Sequence, residues 1–302
     1  MQTKTFDRLS LGDPSYPYLL SQISQPPNPL YTDGQLVQRL NEEERFTIAI
    51  VGARRCSSYG RDIARKLAEE LSRLGITIVS GLAEGIDSAA HWGALEGMGK
   101  TMAVLGCGLD VVYPAKNREL YERIAEEGSI VTEFPLGTQP MPTHFPVRNR
   151  IISGLSRGVI VVEGSEKSGS LHTADFALTQ GREVFAVPGS IKSSLSRTPH
   201  KLLKSGACLV ETVSDILEEF GLEESKKQKK FCVFAKAQGN LIDKLSPGER
   251  DIFDLLNYEP LQIDEIIRQS GLKTSETNSI LVMLELKKLI VQDSGKRYYR
   301  LV

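Results

Sequence analysis

No two cysteines in this 302-residue chain are spaced to clip a metal. Cys56, Cys107, Cys208 and Cys232 lie far apart and form no C-x-x-C, which argues against a structural zinc site and fits reduced thiols in a cytoplasmic protein. The four histidines, His91, His144, His172 and His200, show no H-E-x-x-H spacing. Neither G-x-G-x-x-G nor G-x-x-x-x-G-K-[ST] occurs, so a dinucleotide fingerprint and a P-loop are both absent and no cofactor is expected. No run is apolar over the ~20 residues that a bilayer requires. Residues 1–20 lack a basic start followed by an apolar core, so neither a membrane span nor a signal peptide is expected. Charge of one sign is missing too. The formal net charge is -1, so any polyanion site must be a local patch and not a whole-chain field. What is present is an ordinary globular composition, 40% hydrophobic and 25% charged, long enough for one large domain and a small one.

Residues 1–45 read as an ordered arm rich in Pro, Asn and Gly, with two short apolar patches that can pack on the main domain. From Phe46 short apolar runs alternate with amphipathic segments. The runs are 47–51, 76–80, 101–105, 129–132, 158–162, 183–187 and 207–210, each bounded by Gly or polar residues. Between the first two, Arg61–Leu74 carries Ile63, Ala64, Leu67, Leu71 and Leu74 at helical spacing. Such alternation predicts an α/β fold: a parallel sheet with helices on both faces, over residues 46–222. Ligands of such sheets bind beyond the carboxyl ends of the strands. Residues 223–244 begin with the charged run EESKKQKK and read as a linker. Residues 245–302 read as three short helices, the third over Thr274–Leu289, followed by a hairpin, a winged-helix pattern.

The most informative stretch is Thr143–Leu171. Phe145 stands between Pro142 and Pro146, which reads as a loop aromatic, and Arg148, Asn149 and Arg150 follow it. A helical pattern then starts at Ile151, and Gly158–Glu163 is an apolar run suited to a strand buried on both faces. Lys167, Ser168, Gly169 and Ser170 come next, small residues at a strand-to-helix junction where free N–H groups and the helix dipole favour an anion. A loop aromatic, a guanidinium pair and an N–H-rich turn suit a phosphodiester with an unstacked base beside it. The bland alternative is a helix start with two solvated arginines.

Other turns at strand ends add to this set. Gly52-Ala53-Arg54 leads into a helix through Ser57, Ser58 and Gly60, small enough for a phosphate to approach the backbone. Gly81 and Gly85 permit left-handed dihedrals in a second turn, whose Asp87 and Ser88 are expected to cap the next helix. Lys116 either reaches a phosphate or is solvated before a helix capped by Asn117.

Taken in order, IVGARRCSSYG, VSGLAEGIDSAAHWGAL, TMAVLGCGLDVVYPAKNREL, TEFPLGT, HFPVRNRIISGLSRGVIVVE, KSGSLHTADFAL and GREVFAVPGSI resemble the DNA-processing protein A family, also called DprA or Smf. The match runs from about Ser15 to Leu222, and the tail fits that family's optional winged-helix domain. The resemblance implies an extended Rossmann-like domain that binds single-stranded DNA, forms a homodimer and loads the RecA recombinase during natural transformation. It implies no enzymatic chemistry. It carries over Arg54 and Lys116 as phosphate contacts, with Phe145, Arg148, Asn149, Arg150 and the Ser168-Gly169-Ser170 turn completing the site. Two departures stand out: the N-terminal helical module of longer members is not seen, and Ser196–His200 lacks the Gly and Asn common there, so no contact is assigned to that loop.

The competing reading is a Rossmann-like phosphoribohydrolase, with Glu84, Asp87 and Glu133 as candidate carboxylates. Those enzymes carry Pro-Gly-Gly-x-Gly-Thr and a following Glu. Lys167–Thr173 here lacks both the double glycine and the carboxylate. A transcription regulator acting through the winged helix is a third reading. Its third helix sets Glu276 and Glu285 against Lys287 and Lys288, a poor surface for tracking phosphates.

Overall fold

The computed structural model describes residues 6–34, 36–41, 46–222, 245–256, 261–287, 289–293 and 297–300. The chain divides into two compact units, Met1–Glu223 and Glu224–Val302. The expected linker, 223–244, lies outside the described residues.

The first unit opens with β1 (Asp7–Leu9), the short helix α1 (Tyr18–Ser21) and β2 (Leu30–Asp33). Alternation follows through β3 (Thr47–Val51), α2 (Ser58–Arg73), β4 (Thr77–Ser80), α3 (Ile86–Glu96) and β5 (Thr101–Val104). It continues through α4 (Arg118–Glu127), β6 (Ser129–Thr132), α5 (His144–Gly154), β7 (Gly158–Val161) and α6 (Gly169–Thr179). β8 (Glu183–Ala186), α7 (Arg197–Lys204), β9 (Cys208–Leu209) and α8 (Val213–Glu219) complete it. Each of the seven apolar runs marked out by the sequence contains one strand.

Among the described residues these strands form one sheet in the order β1-β2-β6-β5-β4-β3-β7-β8-β9. The pairs from β6 to β9 are parallel; β1 with β2 and β2 with β6 are antiparallel. The arm therefore supplies the two strands at one end of the sheet, which its composition did not announce. It also fills one face of the core. Leu20, Ile23, Leu30 and Val37 pack with Ile151 and Ile152 of α5 and Ala174 and Ala177 of α6. Each fully buried leucine there contributes about 1.5–3 kcal/mol.

The central strand shows why both faces are apolar. All five residues of β3 are buried. Ala49 and Val51 join the α5–α6 face, while Ile48 and Ile50 pack with Leu67 and Leu71 of α2 and Ile86 of α3. β3 has β4 on one side and β7 on the other. Chain order reverses between β3 and β7, so the loops after these two strands diverge to opposite faces. A crevice opens between them, the usual ligand position in an open parallel sheet.

The second unit contains α9 (Pro247–Leu255), β10 (Leu261–Gln262), α10 (Ile263–Ser270), α11 (Thr274–Leu286), β11 (Ile290–Asp293) and β12 (Arg297–Arg300). Its strands pair in the order β10-β12-β11, so the expected hairpin gains a third strand. Ser246 and Glu249 form a capping box at the start of α9. α11 ends at Leu286, short of the expected Leu289. Leu289 instead donates its N–H to the Leu284 carbonyl at 3.0 Å and turns its side chain into a core with Ile252, Phe253 and Tyr298.

Candidate functional site

A cleft of about 410 Å³ occupies the crevice between the ends of β3 and β7. Its walls come from the turn after β3, the turn after β4, the first half of α5 and the start of α6. Seven of the nine residues singled out by sequence line it: Arg54, Phe145, Arg148, Asn149, Ser168, Gly169 and Ser170. Lys116 and Arg150 do not. Arg55, Asp87 and Leu195 also line it; the sequence marks Asp87 only as a cap or candidate carboxylate, and Arg55 has a signal as the neighbour of Arg54 on one short turn.

The four cations are not alike. Arg54 is exposed and has no ion pair among the described residues. Its guanidinium carbon stands 4.9 Å from the centroid of the Phe145 ring, a cation–π arrangement. Arg148, by contrast, is 3% exposed. It donates from Nη1 to the Gly81 carbonyl at 2.7 Å and to the Val104 carbonyl, so it ties the ends of β4 and β5 to α5. Burial lowers its pKa to about 10, which leaves it charged at neutral pH. Arg150 holds Glu133 with two 2.7 Å bonds, in a pair whose side chains are 11% and 19% exposed. Lys116 is exposed but pairs with Glu84 at 3.0 Å. The four cations named from the sequence thus differ in setting: Arg54 has no ion pair among the described residues, Lys116 is in an exposed pair with Glu84, and Arg148 and Arg150 are held by partners within the fold.

Phe145 is also not in a loop. It is the second residue of α5, and Pro146 is the third. The first N–H groups of a helix have no intrahelical acceptor, so proline is tolerated there. The half-buried ring lies 5.5 Å from Tyr113 and 5.9 Å from the Arg148 guanidinium carbon. Tyr113 is a neighbour that spacing in the sequence did not reveal.

The glycine turn after β4 works differently from the expectation. Gly85 has φ 85°, but Gly81 does not; there the left-handed residue is Leu82, with φ 56°. Gly81 is required by close approach, because a Cβ would strike the Arg148 guanidinium. Asp87 does not cap α3 but accepts the Gly81 N–H at 3.1 Å, and Ser88 donates to the Ala83 carbonyl at 2.5 Å. Asn117 is likewise no cap by its side chain; it donates to the Leu82 carbonyl and to Ser88 Oγ, both at 2.8 Å. These three side chains hold the turn that carries Ala83 to the cleft.

The two helix starts beside the crevice divide their roles. At α2, where a phosphate was considered, the Glu163 carboxylate already sits. Oε2 accepts the Ser57 N–H at 2.9 Å and Oε1 accepts the Ser57 hydroxyl at 2.5 Å. Glu163 is 5% exposed and presses on Gly60, where a Cβ would meet its carboxylate. An anion near the N-terminus of a helix is favourable, and this one belongs to the protein. Glu163→Ala is expected to cost about 1–3 kcal/mol, because it leaves the Ser57 N–H without its acceptor. Thermal melting would show it; Glu163→Gln should lose less, since an amide oxygen can still accept.

At α6 no side-chain carboxylate among the described residues accepts from the helix start. Ser168 is the N-cap, its Oγ 3.4 Å from the Ser170 N–H and 2.8 Å from Ser170 Oγ. Asn149 donates to the Gly169 carbonyl at 3.3 Å, which fixes α5 against this end. Thr198 braces the turn from behind, its hydroxyl donating to the Ser165 carbonyl at 2.5 Å. The cleft therefore offers an exposed guanidinium, a half-buried aromatic ring and the N–H end of an 11-residue helix.

Comparison with known proteins identifies the family. The family model described as DNA recombination-mediator protein A matches residues 7–221, and that of the DprA winged helix domain matches residues 237–296. Protein Smf of Escherichia coli is 47% identical over 283 residues, covering 93% of this chain and 74% of that protein. The X-ray structure of DNA processing protein A from Streptococcus pneumoniae superimposes with a TM-score of 0.67 at 44% identity, over 72% of this chain and 75% of the other. A structure of DNA processing protein A from Helicobacter pylori, described for its single-stranded-DNA binding mode, gives a TM-score of 0.63 at 28% identity, over 72% and 95%. The chain belongs to the DNA recombination-mediator protein A family, DprA/Smf.

Proposed function

We propose that this protein binds single-stranded DNA in the crevice between β3 and β7 and makes or breaks no bond in it. The observation that carries the reading is the juxtaposition of unpaired Arg54, the Phe145 ring and the N-terminus of α6 on one cleft. The guanidinium and the helix N–H groups suit a phosphate, and the ring suits an unpaired base. Each carboxylate considered for catalysis already has a partner, since Glu84 pairs with Lys116, Asp87 holds the Gly81 turn and Glu133 holds Arg150. In the winged helix Lys287 is tied to Glu249 at 2.6 Å, which leaves α11 little free positive charge; Lys288 lies outside the described residues. That supports an accessory role for the second unit. By resemblance to its family, the protein would act as a cytoplasmic homodimer that protects incoming strands and loads RecA during natural transformation. Two clefts on one dimer would raise affinity through effective concentration.

A paired experiment tests this. The protein is incubated with nucleoside monophosphates and, separately, with single-stranded and duplex DNA of equal length. The expected result is no released base and a clear preference for the single strand, because only unpaired bases can meet Phe145. Base release at enzymatic turnover would point instead to Glu84, Asp87 and Glu133, and equal affinity for duplex would remove the stacking.

A further inference from the structure

Two smaller concavities extend the cleft. The first, about 190 Å³, shares Arg54, Phe145 and Arg148 with it and is closed on the far side by Tyr113 and Glu84. Glu84 is also a wall of the second, a notch of about 220 Å³ between α2, α3 and the start of α4. Arg61, Arg65, Ser88, Trp92 and Asn117 also line that notch. The three concavities thus adjoin through shared residues.

We propose that this notch is a further nucleotide subsite for the same strand, with Trp92 as the base platform and Arg61 as the phosphate contact. The inference rests on the single-strand reading above. Trp92 is partly buried against the third core cluster, so the indole is held by packing and not by ligand. Arg123 stands 5.8 Å from its ring centroid and is itself bound to Glu127. Arg65 is tied to Glu96 by two hydrogen bonds. Arg61 is exposed and, among the described residues, has no side-chain partner. One free cation beside one anchored aromatic matches one phosphate and one base. An acidic peptide would need several free cations in a row, and Arg65, Lys116 and Arg123 are already paired. Glu84 on the shared wall is compensated by Lys116 at 3.0 Å, so the crossing is not a bare negative barrier.

Trp92 is the only tryptophan in the chain, which makes its emission a local reporter. The full chain is titrated with oligothymidylates of increasing length, following intrinsic fluorescence and, independently, anisotropy of a labelled strand. Short strands are expected to bind through the cleft without changing Trp92 emission, and longer ones to quench it. Arg61→Ala should leave short-strand affinity unchanged. For long strands it should flatten the log K against log salt slope by about 0.7. Unchanged emission at saturation with a long strand, together with equal long-strand slopes for Arg61→Ala and the parent, would overturn the subsite while leaving the cleft intact. Quenching by polyglutamate but not by DNA would overturn it in favour of a peptide. Absence of DNA binding at every length in the anisotropy arm would overturn the underlying reading and the subsite with it.

Discussion

Arg148→Ala is expected to lower folding stability by roughly 3–5 kcal/mol, the usual cost of removing one partner from a buried charged network. Three groups lose their partner at once. The Gly81 and Val104 carbonyls lose the Nη1 donor, and the buried Asp87 carboxylate loses the cation that does most to lower its pKa. For a chain of this size the melting temperature should fall by on the order of 10 °C. The sign of the pH dependence follows from Asp87. Burial already raises its pKa above the ordinary carboxylate value, with Arg148 pulling it down. Without Arg148 the folded pKa rises further. The variant's folded state therefore takes up a proton before the unfolded one does, and its deficit should shrink as pH falls and widen as pH rises through the folded pKa. Melts at several pH values would show this, and Arg148→Lys should rescue only partly, since an ammonium cannot reproduce the planar fork. A melting temperature within a degree or two of the parent would mean that Arg148 is not the tie between β4, β5 and α5. Strand binding should be lost in step with stability, because Arg148 floors both the cleft and the concavity beside it.

The parallel core was legible because the requirement is local: a strand buried on both faces needs a continuous apolar stretch, as Ile48–Val51 and Val159–Val162 supply. β1 and β2 were not legible, since Asp7-Arg8-Leu9 and Leu30-Tyr31-Thr32-Asp33 have no such run. They are strands because β6 offers an edge to pair with. Phe145 was placed in a loop on the strength of its flanking prolines, yet a helix admits Pro146 in its first turn. The site's cations were legible as residue types but not as free or engaged. The partners that decide this are distant in the chain: Glu133 is 17 residues from Arg150, Glu84 is 32 from Lys116, and Glu163 is 106 from Ser57. Only the fold brings each carboxylate to its cation or its helix end.

Arg54 is the cleft cation whose loss is expected to have the largest effect on binding alone. It is exposed and unpaired, so its removal should leave the melting temperature within experimental error. A charge-assisted hydrogen bond to phosphate contributes about 1.5–3 kcal/mol, or roughly tenfold to a hundredfold in affinity. Arg54→Ala also removes the cation from the Phe145 ring, so the base platform loses part of its frame. The most direct measurement is the affinity of Arg54→Ala and the parent for a short oligothymidylate across a series of salt concentrations. Weaker binding is expected, with a log K against log salt slope flatter by about 0.7, one phosphate contact on a single strand. Equal affinity and equal slope in a folded Arg54→Ala protein would mean that the strand does not pass through the crevice between β3 and β7.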